Sequence, residues 1–201
     1  MKHFLFAVCF VVAAASTALA QTLSPAELKR ASEYLEKTSA AFIASTKGLS
    51  EAQLTFKTGP TRWSVAEVSE HIASAEDFIM GMVHEQVMKA PERTEPTNVK
   101  EIDDFVLQAI PDRSHKLQAP EPLVPANRFG TIKGSVDHFK ESRAKTLAFL
   151  NETPDLREHA IDSPLGKKLD AYQWILFVSA HTERHTKQIE EVKADPNFPK
   201  S

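Results

Sequence analysis

The stretch AYQWILFVSAHTERHTKQIEEVKAD, residues 171–195, predicts one long helix with an apolar face. Asp170 stands at the N-cap position, and Pro196 ends the segment. Apolar residues recur along this face at helical spacing: Trp174, Phe177, Val178, Ile189 and Val192. His181 and His185 continue the same face, so we expect both imidazoles to point into the protein, with Cβ atoms about 5–6 Å apart.

Three more long helices are predicted upstream by caps and periodicity. The first two begin with a serine followed three residues later by glutamate, the capping-box pattern: Ser24 with Glu27, and Ser64 with Glu67. The first helix is expected to end at Gly48 and the second before Pro91, and a third covers about Ile132–Leu150. Four long helices and no convincing strand pattern predict an all-α fold, a four-helix bundle.

A long, proline-rich connection, residues 91–127, joins the second and third of these helices. Six prolines interrupt regular structure there: Pro91, Pro96, Pro111, Pro120, Pro122 and Pro125. We expect one short helix within it, at about Ile102–Ala109. The sequence leaves open whether this connection covers a site as a lid or wraps around the outside.

The first twenty residues, MKHFLFAVCFVVAAASTALA, are typical of a secretory signal peptide. Lys2 precedes an apolar run that is shorter than the ~20 residues needed to span a bilayer, and Ala18-Leu19-Ala20 resembles a cleavage site. We therefore expect cleavage after Ala20, no stable membrane insertion, and a secreted or periplasmic domain of residues 21–201. Cleavage also removes Cys9, the single cysteine, which excludes disulfides and thiolate ligands from the mature chain.

Charge and motifs exclude several classes of function. Loss of Lys2 changes the formal net charge from −3 to −4, and no basic patch suited to phosphates stands out, so we expect no nucleic-acid partner. No phosphate-binding glycine loop and no GxSxG elbow is present. A small-molecule substrate or ligand is the expected partner.

His71 can complete a metal site with the histidine pair. It lies on the apolar stripe of the second predicted helix, three residues after Val68 and four before Ala75. Three buried imidazoles would lose hydrogen bonds to water and would repel one another when protonated, so a divalent metal ion is the natural way to satisfy them. The alternative is that these are ordinary packed histidines, since HxxxH arises by chance in helices. The other mature-chain histidines lack this placement and are predicted at the surface: His84, His115, His138 and His159.

The motif HTERH, residues 181–185, differs from the HExxH of zinc peptidases. Glu183 is its third residue and points away from the histidine face, which disfavours a peptidase. No general base is identified, and four residues are candidates only by proximity in sequence: Glu76, Asp77, Glu183 and Arg184. Trp63 could wall the site or serve as a hydrophobic staple at the helix entry.

Two stretches, RWSVAEVSEHIASAEDF (residues 62–78) and YQWILFVSAHTERHTKQIEEV (residues 172–192), together resemble the DinB-like superfamily of metal-binding four-helix bundles. The resemblance spans essentially the whole mature chain. It implies an up-down-down-up bundle in which three histidines, here His71, His181 and His185, hold a divalent ion, zinc first and nickel as the alternative. Bundles of this type often pair through helix faces, so a homodimer is an open alternative.

The same resemblance implies metal-dependent transferases and isomerases that use low-molecular-weight thiols such as bacillithiol or mycothiol. Those thiols are cytosolic, whereas this chain carries an export signal. We therefore expect a metal-dependent hydrolase or transferase whose substrate the sequence does not identify. The alternatives are a non-catalytic protein of the cell envelope that binds a metal or small ligand, and a scaffold in which the histidines are merely packed.

Overall fold

Four long helices dominate the structure, a computed structural model that describes residues 22–94, 97–115 and 118–200. They are α1 Pro25–Thr46, α3 Val65–Met82, α5 Ile132–Glu152 and α6 Ala171–Lys193. The shorter elements are α2 Glu51–Thr55, a π-helical turn Val83–Val87, α4 Val99–Ala109, a 3₁₀ turn Glu121–Leu123, and strands β1 Ala160–Asp162 and β2 Lys168–Asp170. The predicted all-α four-helix bundle is confirmed; the predicted signal peptide lies outside the described residues.

The helices begin where their caps predict. In both predicted capping boxes the serine hydroxyl accepts the backbone N–H of the glutamate, and the glutamate carboxylate accepts the backbone N–H of the serine. Asp170 caps α6 in the same reciprocal way with Gln173. Each box satisfies two N–H groups that a helix start would leave without partners.

Hydrogen bonds between α1 and α6 show that these two helices are parallel. Tyr172 near the start of α6 donates to the carbonyl of Glu27 at 2.9 Å, and Tyr34 further along α1 donates to Glu183 at 2.8 Å. Partners on both helices therefore advance together along the chain.

The same reasoning gives the directions of α3 and α5. Ser142 of α5 donates to Asp77 of α3. Seven residues later on both segments, about two helical turns, the ring of Phe149 packs on that of His84 at 4.5 Å, so α3 and α5 are parallel as well. Phe42 of α1 meets Phe139 near the start of α5, whereas the earlier Leu35 accepts from the later Arg143, so α1 and α5 are antiparallel. In chain order the helices run up, down, down and up, as the resemblance implies.

The parallel course of α3 and α5 explains the long connection between them. A helix of 21 residues spans about 32 Å, so the chain must travel back along the bundle before α5 can start beside the beginning of α3. Residues 88–131, here called the return segment, make this passage and include α4, which packs on α6. The short helix expected at Ile102–Ala109 is present as α4, three residues longer at its start.

A small β-hairpin lies between α5 and α6. Strands β1 and β2 pair antiparallel, with Ile161 opposite Leu169, and Gly166 adopts a φ of +69° in the connection. The expectation of no strand was wrong here because three-residue strands are too short to show an alternating pattern. Within the described residues, no helix is long and apolar enough to cross a membrane.

A buried ion pair occupies the middle of the bundle. Arg143 donates twice to Glu76, at 2.8 Å each, and both side chains are almost wholly inaccessible. The remaining donors of Arg143 meet the carbonyl of Leu35 and the hydroxyls of Thr38 and Thr182. Glu76 therefore links all four long helices through Arg143 and is not available as the general base for which it was a candidate.

We expect Glu76→Gln to destabilise the chelator-treated protein by about 3–5 kcal/mol, because it leaves the Arg143 cation buried without its counter-charge. Urea unfolding followed by circular dichroism measures the change. The double variant Glu76→Leu/Arg143→Met should recover much of the loss, since it removes both charges together. Lys133→Ala, which breaks an exposed pair with Asp137, is the control for loss of a surface ion pair. A Glu76→Gln protein as stable as wild type would contradict this account of the core.

Candidate metal centre

The bundle brings His71, His181 and His185 together. Nε2 of His71 lies 3.3 Å from Nε2 of His181 and 3.2 Å from Nε2 of His185. The antiparallel packing of α3 on α6 produces this meeting, because residues early in α3 lie beside residues in the second half of α6. His71 and His185 are buried, with exposed fractions of 3% and 9%, and His181 is partly exposed.

Hydrogen bonds on the far side of two rings fix their tautomers. Nδ1 of His71 lies 2.9 Å from the carbonyl oxygen of Leu123, which can only accept, so Nδ1 carries the proton. Nδ1 of His185 lies 2.8 Å from Oε1 of Gln188, and the donor-only guanidinium of Arg113 meets that same oxygen. In both neutral rings Nε2 is then an unprotonated lone pair that faces the other histidines.

The donor set fits a divalent metal ion. Ligand atoms of the three side chains lie within 4.8 Å of one another. Two nitrogens bound at 2.0–2.1 Å with tetrahedral geometry would be about 3.3 Å apart, close to the separations found here. Nitrogen lone pairs that converge repel one another unless a proton or a cation lies between them. A metal-binding histidine usually donates its other N–H to an oxygen, as His71 and His185 do. The three residues have the position and protonation that metal ligands require.

The surroundings hold the three rings neutral. Burial lowers the pKa of His71, assisted by the charge of Arg128 and opposed by the bond to Leu123. The pKa values of His181 and His185 are lowered well below the ordinary range, first by desolvation and then by the neighbouring histidines. Nearby cations, Arg184 for His181 and Arg113 for His185, add to the effect.

Two aromatic rings border the group. The indole of Trp63 lies 4.9 Å from the His71 ring, and Phe177 stacks along His181 at 6.4 Å between ring centroids. Trp63 therefore does wall the histidine group, one of the two roles considered for it. His181 is the most exposed of the three histidines. Two surface depressions, of about 370 and 260 Å³, lie along α1 around Arg30 and Tyr34 and include none of the three histidines.

The remaining general-base candidates are bonded elsewhere. Asp77 bonds His138 and Ser142 on α5, and Glu183 accepts from Tyr34 and Lys187. Arg184 is buried and donates to the backbone carbonyls of Ile110, Asp112 and His115. It therefore fastens the return segment to α6.

The other histidines lie away from the group. His84 and His115 are exposed as predicted, and His138 and His159 are partly exposed. His138 stacks on Phe129 at 4.5 Å, and Nδ1 of His159 donates to the carbonyl of Ala90. Each is thus satisfied within the fold.

Residues that support the ligands escaped the sequence analysis. Leu123 contributes a backbone carbonyl, for which a sequence holds no signal. Arg113 lies 75 residues from its partner Gln188, a separation that no local pattern spans. Gln188 could have been found, because its spacing of three residues from His185 places both on one helix face.

Stability of the chelator-treated protein should fall as the pH is lowered from 6.5 to 5. The unfolded imidazoles take up protons near pH 6.5, whereas the folded ones have lowered pKa values and stay neutral, so unfolding is favoured by up to about 1.4 kcal/mol per pH unit for each group. Urea unfolding at several pH values measures the slope. The variant His181→Leu/His185→Leu should have a smaller slope over this range; an equal slope would exclude these two residues as its origin.

Comparison with known proteins agrees with the four-helix fold. The DinB superfamily profile matches residues 34–189. The uncharacterised protein YuaE of Bacillus subtilis (strain 168) is 32% identical over 150 residues, which cover 73% of this chain and 87% of YuaE. YfiT from Bacillus subtilis, described as a probable metal-dependent hydrolase with an unusual four-helix bundle topology, superposes with a TM-score of 0.55 over 86% of this chain and 89% of its own, at 14% identity. The chain belongs to the DinB superfamily.

Proposed function

We propose that the chain binds a divalent metal ion through His71, His181 and His185 and is a metal-dependent hydrolase or transferase that acts on a small molecule. One observation carries the proposal: the three Nε2 atoms converge, and the outer hydrogen bonds of His71 and His185 leave their lone pairs free to bind. Zinc is our first candidate, because three neutral imidazoles with an open fourth position are a common catalytic zinc set. Nickel is the alternative, since imidazole also suits that ion.

The protein groups around the site have separable tasks. His71, His181 and His185 would hold the divalent ion, which would act as a Lewis acid and would lower the pKa of water to about 7. His71 and His185 are oriented by Leu123 and Gln188, and the partly exposed edge of His181 marks the side from which a substrate can enter. Trp63 and Phe177 offer apolar surface to the part of the substrate that does not react.

The description of a structural neighbour supports this choice of reaction class. YfiT, whose fold this chain shares, is described as a probable metal-dependent hydrolase. Shared fold alone does not transfer a reaction, so the support comes from combining it with the histidine group found here.

The second candidate is a non-catalytic metal or small-ligand binding protein of the cell envelope. The engagement of Glu76, Asp77 and Glu183 in other contacts favours it, since none of these carboxylates is free to move a proton at the histidines. Activity assays with hydrolase and transferase substrates distinguish the enzyme from the binding protein.

Metal analysis is the first test. Purified wild type should contain stoichiometric metal, and added zinc or nickel should raise the melting temperature of the chelated protein. His181→Ala/His185→Ala should abolish both effects because a single histidine cannot retain the ion. His84→Ala, which changes an exposed histidine outside the group, should retain both. A metal-free wild type, or metal that persists in the double variant, would refute the site.

Turnover is the second test. Metal-loaded wild type is screened against ester, amide and phosphoester substrates and against group-transfer pairs, and activity should disappear in the same double variant. Activity that survives chelation would remove the metal from the reaction. Silence across all classes would favour the binding protein.

We further propose that the mature protein acts outside the cytosol on a small molecule and needs no nucleic acid. The export signal and the absence of a basic patch from the sequence support this. Mass spectrometry of the exported protein should find a mature N-terminus at Gln21; an intact N-terminus in the cytosol would contradict it.

A further inference from the structure

A buried carboxylate next to His71 holds the return segment in place. Glu70 is 5% exposed and accepts three consecutive backbone N–H groups, from Ala126 at 2.7 Å, Asn127 at 2.8 Å and Arg128 at 3.2 Å. The guanidinium of Arg128 adds a fourth bond at 2.9 Å.

The backbone around Glu70 has the shape of an anion-binding nest. Asn127 has a φ of +61°, in the left-handed region that asparagine tolerates better than most residues. Such a turn points successive N–H groups to one side, where they bind an anion. Here the chain supplies the anion itself, so the nest acts as an internal fastener, and its bonds are strengthened by the negative charge.

The same fastener fixes the carbonyl that meets His71. Arg128 also donates to the carbonyls of Val124 at 2.8 Å and Pro122 at 3.0 Å, the residues on either side of Leu123. With both neighbours held, the carbonyl of Leu123 is directed to Nδ1 of His71 at 2.9 Å. A series of direct contacts therefore connects Glu70, through the return segment, to the ring of His71, the next residue in the sequence.

We propose that Glu70 is a positioning residue, which clamps residues 126–128 and thereby sets the Leu123 carbonyl as the acceptor that orients His71 and keeps the proton on its Nδ1. Without the clamp the acceptor is free to move away, and His71 can rotate or exchange tautomer. Nε2 would then no longer be presented to the other two histidines as a lone pair.

His185 provides an internal control. Its outer acceptor is Gln188, which lies on the same helix, three residues away. Arg113 of the return segment also donates to this acceptor, but Glu191 of α6 binds Arg113 at 2.6 and 2.7 Å, so the tautomer of His185 does not depend on Glu70. Loss of the clamp should disturb His71 and spare His185, whereas general unfolding would disturb both.

Histidine NMR of the chelated protein is the first readout, and it does not depend on metal binding. Long-range ¹H–¹⁵N spectra should show the Nδ1–H tautomer for both His71 and His185 in wild type. In Glu70→Gln, whose amide places an N–H₂ group against backbone donors, His71 should become a tautomer mixture while His185 keeps its signals. Unchanged His71 signals in a folded Glu70→Gln protein would overturn the proposal.

Metal affinity is the second readout, and it rests on the proposed function. Competition with a chromophoric chelator should give Glu70→Gln a zinc dissociation constant about 10–100 times that of wild type, the usual effect of losing an outer partner of a ligand. Asp103→Asn is the matched control: it alters another buried carboxylate, which binds Arg157 and Gln173 and holds α4 in the same return segment. An equal loss in Asp103→Asn would assign the effect to general loosening.

A second variant covers the case in which Glu70→Gln does not fold. Arg128→Gln keeps Glu70 but releases the carbonyls of Pro122 and Val124, and should shift His71 in the same direction. A wild type without metal affinity would refute the proposed function while the NMR test of Glu70 stands. Normal affinity and normal His71 signals in both variants would refute the clamp alone.

Discussion

The parallel course of α3 and α5 is the constraint on which the rest of the structure depends. Two consecutive parallel helices cannot be joined by a short turn, because the chain must first return along their whole length. The return segment therefore passes the face where α3 meets α6. It contributes Leu123 and Arg113 to the outer contacts of the histidines, and it is fastened there by Glu70 and Arg184. The return segment, which the parallel helices require, thus contributes residues to the candidate metal centre.

Register between the helices matters as much as their direction. A slip of one helical turn would move His71 about 5.4 Å along α6, too far for its Nε2 to share an ion with His181 and His185. The bidentate contact between Arg143 and Glu76 opposes such a slip, since a displaced helix would leave both charges buried without partners. The buried ion pair between Arg143 and Glu76 therefore helps to set the helix register in which the three histidines meet.

Local patterns in the sequence were sufficient for the helices and for the inward faces of the histidines. Ser64 with Glu67 and Asp170 with Gln173 act within one turn, and the stripe containing His181 and His185 repeats at the helical period. Local patterns do not show contacts between residues that are distant in the sequence. Glu76 was a candidate base because its partner Arg143, 67 residues away, could not be identified from the sequence. The clamp at Glu70 was hidden for the same reason, and Leu123 because its contribution is a main-chain atom.

The engagement of Glu76, Asp77 and Glu183 in other contacts bears on the choice between enzyme and binding protein. Three neutral imidazoles leave the whole charge of a divalent ion uncompensated, and Arg113, Arg128 and Arg184 add positive potential near them. A divalent ion held by these histidines would lower the pKa of water toward neutrality, so that hydrolysis would need no separate protein base. The engagement of Asp77 and Glu183 elsewhere is therefore compatible with hydrolysis, and the same positive potential would favour an anionic group on the ligand or substrate that reaches the open side near His181.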